Sequence, residues 1–181
     1  ADLLFAVVKE TLMELLGDPK YLGARPGILA ALHTWNQTLR PHVHLHCVVT
    51  AGGLDQHGRW LQPKKSCLLP RKVVMLKFRG KFLALLAAAI RRGAIDVPET
   101  FDLPAAMRCV RGKPWNVKVH AAYRHAEGVA TYLAGYLKNG PIKNGRLLAV
   151  SEGNVLFRYR LPTGAGGDGK RQGVAGLPID A

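Results

Sequence analysis

The strict alternation His42-Val43-His44-Leu45-His46-Cys47-Val48-Val49 constrains this chain more than any other feature. Period two is the side-chain repeat of an extended strand, so His42, His44 and His46 line one side while Val43, Leu45 and Cys47 face the other. Helical period occurs elsewhere. Leu3, Leu4, Val7, Val8, Leu12, Leu15 and Leu16 recur at helical spacing behind Asp2, a candidate N-cap, and Gly17 ends the run. Pro70 can open a long helix over residues 70–92, apolar at Val73, Val74, Leu76, Phe78, Phe82, Leu85, Leu86 and Ile90 and stopped by Gly93. Both periods in one chain predict an α+β fold, with a central antiparallel sheet and flanking helices.

The remaining elements follow from punctuation. Residues 28–39 and 42–50 read as strands broken at Arg40-Pro41 and closed by Gly52-Gly53, with a turn over 55–58 before Trp60. The alternation of Val117, Val119 and Ala121 with Asn116, Lys118 and His120 predicts a strand over 115–123, and a helix is expected over 126–137, ended by Asn139-Gly140-Pro141. Residues 146–151 and 154–160 read as a hairpin around Glu152-Gly153. The Gly-rich stretch over 163–176 is expected to be mobile. At 181 residues and 48% apolar composition, the expectation is one domain over 1–161 and a truncated Gly-rich tail over 162–181.

Charge narrows the function. Lys and Arg number 26 against 12 Asp and Glu, a net charge of +14, which points to a polyanion rather than a small metabolite. Between Asp55 and Asp96 there is no acid, yet Arg59, Lys64, Lys65, Arg71, Lys72, Lys77, Arg79, Lys81, Arg91 and Arg92 all occur. A second acid-free stretch, between Asp102 and Glu127, holds Arg108, Arg111, Lys113, Lys118 and Arg124, with Trp115 and Tyr123 interleaved as candidate base-stacking surfaces. The longest apolar run, residues 82–90, is flanked at once by Lys81 and Arg91, so no spanning helix and no membrane partner are expected. Cys47, Cys67 and Cys109 are odd in number, show no CxxC pairing and follow no secretory leader; a reducing cytoplasmic compartment and structural thiols are expected.

Three imidazoles alternating on one strand face are a metal or phosphate site in waiting, because histidines at i and i+2 can chelate one cation. No acid lies between Asp18 and Asp55, so a carboxylate cage cannot assemble here. A mixed site of imidazoles with one amide or carboxylate oxygen suits Mn²⁺, Mg²⁺ or Zn²⁺. The second constellation is Tyr132-Leu133-Ala134-Gly135-Tyr136, where two phenols four residues apart share a helix face. A phenol beside a bound divalent cation can attack a phosphodiester and form a covalent phosphotyrosine.

The segments Leu32-His33-Thr34-Trp35-Asn36-Gln37-Thr38-Leu39, His42 to His46 followed by Gly52-Gly53-Leu54, the Tyr132 to Tyr136 pair, and Phe157-Arg158-Tyr159 together resemble the two-tyrosine HUH transposases of rolling-circle insertion sequences, in order over the whole chain. The resemblance implies a single-strand DNA endonuclease and strand transferase using Mg²⁺ or Mn²⁺. It makes His44 and His46 the metal pair and Tyr132 and Tyr136 the nucleophiles. Gln37, seven positions before His44, becomes the expected third ligand, with His42 as the fallback. Lys138 becomes a candidate for stabilising the phenolate or the phosphate. Lys64, Lys65, Arg71, Lys72, Lys77, Arg79, Lys81, Arg111, Lys113, Trp115, Lys118 and Arg124 are the expected DNA contacts. Members of the family usually carry a cysteine-rich zinc-binding segment and further helices, so an excised catalytic core is expected, with target recognition incomplete. Two other readings compete: a histidine-triad nucleotide hydrolase, whose His-φ-His-φ-His-φ-φ signature fits residues 42–49, and a non-catalytic basic nucleic-acid-binding module. The first leaves the tyrosine pair and the +14 charge without a purpose.

Overall fold

The computed structural model describes residues 1–65, 68–120, 122, 128–129, 142, 144–151, 153–160 and 172–178. In chain order the elements are α1 (Asp2–Gly17), β1 (Ile28–Trp35), β2 (Pro41–Val49), β3 (Gly53–Leu54), β4 (Trp60–Leu61), α2 (Arg71–Arg91), α3 (Leu103–Gly112), a 3₁₀ turn (Asn144–Arg146), β5 (Leu147–Ser151), β6 (Asn154–Arg160) and β7 (Gln172–Pro178). The α+β class is as expected. Among the described residues the strands form three separate sheets, β1-β2, β3-β4 and β5-β6-β7, rather than one central sheet. The chain divides into two compact units, Ala1–Ala30 with Cys47–Tyr123, and Ala31–His46 with Arg124–Ala181.

In the first unit α1 buries Val7, Thr11, Leu15 and Leu16, a stripe at helical spacing that packs toward α2. Leu15 and Leu16 join Leu22, Ala24 and Leu69 in the core, with Leu12, Val49, Leu61, Val73 and Val74 packed around them. Asp2 is not the N-cap. Ala1 holds that position, and Asp2 lies inside the first turn, where its carboxylate meets the positive end of the helix dipole. Pro70 caps α2 through its carbonyl, which accepts from the Val73 and Val74 amides. The far end closes as a Schellman motif: Gly93, at φ +68°, donates to the Ile90 carbonyl and Ala94 donates to that of Ala89.

Helix α3 has no counterpart in the expected elements, although its signals are in the sequence. Asp102 accepts from the Ala105 amide at 2.8 Å and Pro104 occupies the first turn, an acidic N-cap followed by a helix-starting proline. The strand expected over 115–123 does not form among its described residues, because no neighbouring strand completes a ladder there. Trp115 is held instead by side-chain contacts. Its indole nitrogen donates to the Val110 carbonyl at 2.9 Å, and its ring packs on Phe78 and Phe82 at centroid distances of 5.7 and 5.3 Å.

In the second unit β5 and β6 form the expected hairpin, with Gly153 at φ +74° in its turn. Gln172–Pro178 pair with β6 residue by residue, from Arg160↔Gln172 to Asn154↔Pro178, where a mobile tail was expected. Gly173 instead admits a close approach: a Cβ at that position would stand 2.6 Å from Cζ of Tyr159, its cross-strand partner. Phe157 on the central strand is fully buried. Gly128 and Val129 are helical, while the rest of the helix expected over 126–137 lies outside the described residues.

Candidate functional site

The site is built on the hairpin of β1 and β2. The turn between them is closed by the Asn36 amide donating to the Arg40 carbonyl at 3.0 Å. Oδ1 of Asn36 accepts from the Thr38 amide, the Thr38 hydroxyl and the Arg40 amide at 2.8 to 3.0 Å, which holds Leu39 at φ +62°. Arg146 stitches this turn to β6: Nη2 donates to the Gln37 carbonyl at 2.9 Å and Nε to the Arg158 carbonyl at 2.6 Å, with the guanidinium over the Phe157 ring.

Pairing β1 with β2 brings a third imidazole to the expected two. Each of His33, His44 and His46 offers a ring nitrogen, and these nitrogens lie within 4.8 Å of one another, a spacing that one cation can bridge. Ring centroids are 4.7 Å apart for His33 and His46, 4.9 Å for His44 and His46, and 5.4 Å for His33 and His44. All three are half-buried. Nδ1 of His44 lies 2.8 Å from the His42 carbonyl, which can only accept, so Nδ1 carries the proton and Nε2 keeps its lone pair for a ligand. His33 stacks on Trp35 at 5.1 Å, which fixes its ring plane. Burial, and secondarily the neighbouring His44, push the His33 pKa below its ordinary value, favouring the neutral form that binds metal.

Gln37 sits in the turn with an exposed side chain, and Asn36 spends its side-chain oxygen on the turn itself. His42 is exposed beside His44, at 4.8 Å between rings, and takes no place in the cluster of three. Sequence reasoning did not place His33 with His44 and His46. Its signal was present in Leu32-His33-Thr34-Trp35, yet a contact between adjacent strands depends on register, which a strand's own residues do not encode. Tyr132, Tyr136, Lys138 and Arg124 lie outside the described residues.

The expected DNA contacts sort into two groups. Lys64, Lys65, Arg71, Lys72, Arg111, Lys113 and Lys118 are exposed. Lys77 and Lys81 are engaged by α1: Lys77 pairs with Glu14, and Lys81 reaches Glu14 at 2.9 Å and Glu10 at 3.5 Å. Arg79 donates to the Lys113 carbonyl at 3.0 Å, and Trp115 is half-buried among phenylalanines rather than open for stacking. Of the thiols, Cys109 is exposed, and burial pushes the Cys47 pKa up to about 11. No described helix is long and apolar enough to cross a membrane.

The chain combines an α+β fold, an imidazole cluster on a β-hairpin and an excess of surface cations. Residues 27–174 match the family described as "Putative transposase", and the chain belongs to that family. It is 36% identical over 166 residues to "Putative transposase y4qJ" of Sinorhizobium fredii (strain NBRC 101917 / NGR234), covering 87% of this chain and 42% of that protein. It is 31% identical over 163 residues to "Transposase for insertion sequence element IS801" of Pseudomonas savastanoi pv. phaseolicola, covering 87% of this chain and 38% of the relative. The chain thus spans about two fifths of the length of these curated relatives. No solved structure matches it.

Proposed function

We propose that this chain is the catalytic region of a two-tyrosine transposase that nicks single-stranded DNA and transfers the strand through a 5′-phosphotyrosine. The observation that carries the reading is the convergence of His33, His44 and His46, with ring nitrogens within 4.8 Å of one another, on a hairpin of a chain in the transposase family. Residues 1–161 supply the endonuclease, with β7 closing the sheet against β6.

His33 takes the place that the sequence reading gave to Gln37. An all-imidazole donor set suits Mn²⁺ or Zn²⁺ better than Mg²⁺, which prefers oxygen ligands. A divalent cation held there supplies Lewis-acid polarisation of a phosphodiester. The hydrogen bond from His44 to the His42 carbonyl keeps one ligand in the correct tautomer before any cation arrives.

The phenol of Tyr132 or Tyr136 loses its proton to a base and attacks the scissile phosphorus. The bond from phosphorus to the 3′-oxygen breaks, that oxygen takes up a proton, and the 5′-phosphate stays on tyrosine. The ester conserves the bond, so a second 3′-hydroxyl can reverse the step and join strands without a nucleotide cofactor. Lys138, two residues past Tyr136, offsets charge on the phosphate. Exposed Lys64, Lys65, Arg71 and Lys72 hold the strand backbone.

The test is incubation with single-stranded oligonucleotides and Mn²⁺, followed by denaturing electrophoresis. A denaturation-resistant protein–DNA adduct and a released piece ending in a 3′-hydroxyl are expected, with both lost in the Tyr132→Phe/Tyr136→Phe double variant. Undiminished cleavage by that double variant would remove the tyrosines from the mechanism. Cleavage unaffected by His44→Ala/His46→Ala would remove the metal centre.

A further inference from the structure

The turn that carries the hairpin also borders a cavity of about 350 Å³, lined by Thr38 and Arg40 from the turn, Tyr159 from β6, and Ala175, Gly176 and Leu177 from β7. That volume falls in the range of small-ligand sites. The geometry points to a nucleotide subsite: Tyr159 stacks one base of the DNA strand and Arg40 holds an adjoining phosphate. The inference rests on the single-stranded DNA reading above and deepens it by naming where a base is gripped.

Three observations support the assignment. The lining complements a nucleotide, offering the Tyr159 ring, the Arg40 guanidinium and the apolar side chains of Ala175 and Leu177. Arg40 is exposed, and among the described residues no carboxylate pairs with it, so its charge is available to an external anion. The pocket is also formed before any ligand arrives. Gly173 lets the Tyr159 ring lie against the backbone of β7, three hydrogen bonds to Asn36 Oδ1 lock the turn, and Arg146 ties the turn to β6. A preformed pocket spares the ordering cost of binding. The positive φ of Leu39, between two of the lining residues, is the local strain that this network maintains.

The experiment is fluorescence anisotropy with labelled single-stranded oligonucleotides in EDTA, so that binding is read without cleavage. One oligonucleotide is unmodified; the others carry a single abasic position moved along the strand. For the native protein, one abasic position should weaken binding about 10-fold, the scale of one base–aromatic stack. Tyr159→Ala should bind the unmodified strand about 10-fold more weakly and lose sensitivity to that abasic position. Tyr159→Phe should behave as the native protein. Arg40→Ala, an exposed change that leaves the fold intact, should weaken binding and lower the slope of log affinity against log salt by about 0.7. Native affinity and slope in Arg40→Ala, together with an unchanged abasic profile in Tyr159→Ala, would overturn the subsite even if the tyrosine adduct forms. Loss of the adduct in the native protein, with the pocket variants still binding-defective, would sink the catalytic reading and leave the subsite standing.

Discussion

At the scale of single residues, the decisive identity is His33. It contributes an imidazole that the strand of alternating histidines lacks, and its depressed pKa follows from burial beside His44. Manganese binding measured by calorimetry should therefore fall at least about 10-fold in His33→Ala and hardly change in Gln37→Ala, whose side chain lies exposed in the turn. A Gln37→Ala defect equal to that of His33→Ala would restore the amide as ligand. The thiols offer a second check. Burial raises Cys47 to about 11, so near pH 8 iodoacetamide should modify exposed Cys109 well before Cys47, as peptide mass spectrometry would read.

At the scale of elements, the contact between α1 and α2 carries two consequences. Thr11 is 1% exposed among Val7, Leu15 and Leu16, and its hydroxyl has no hydrogen-bond partner among the described residues. Thr11→Val keeps the shape and removes a buried unsatisfied group, so chemical denaturation should show a gain of about 1 kcal/mol. The ion pairs across the same interface make stability depend on pH. Lys77, then Lys81, hold Glu14 below its ordinary value of 4.5, so its contribution is present above that value and is lost as pH falls through the lower folded pKa. Glu14, opposed by partial desolvation, holds Lys81 above its ordinary 10.5, so that contribution is present below 10.5 and is lost as pH rises through the higher folded pKa. In low salt the melting temperature should drop between about pH 6 and about pH 3, and drop less in Glu14→Gln. These pairs are solvent-exposed, so the effect is modest.

At the scale of the whole molecule, the fold decides which of the surplus positive charges are available to a polyanion. Single substitutions of Lys64, Lys65, Arg71 or Lys72 by Ala should each reduce the salt slope of single-stranded DNA binding by about 0.7 if each meets one phosphate. Lys77→Ala should change the slope little, because Glu14 already engages that ammonium. Equal effects from all five would mean that the α1–α2 ion pairs open on binding. The acid-free run in the sequence does not make this distinction: Glu10 and Glu14 lie 63 to 71 positions before the lysines they pair with and meet them only when two helices pack.

The sequence by itself determined what depends on local repeat and chain punctuation. The histidine strand, the helix from Pro70 to the glycine that closes it, the hairpin around Gly153 and the excess of positive charge all follow from neighbours a few residues apart. Helix α3 is equally legible in Asp102 and Pro104, an N-cap followed by a helix-starting proline. Only tertiary structure decided which strands pair. Register placed His33 beside His44 and His46, paired β7 with β6, and left residues 115–120 without a ladder despite their alternation. Side-chain period declares which residues share a face, whereas a binding site requires faces from separate segments to meet, and that is fixed by backbone pairing over distances that no local pattern records.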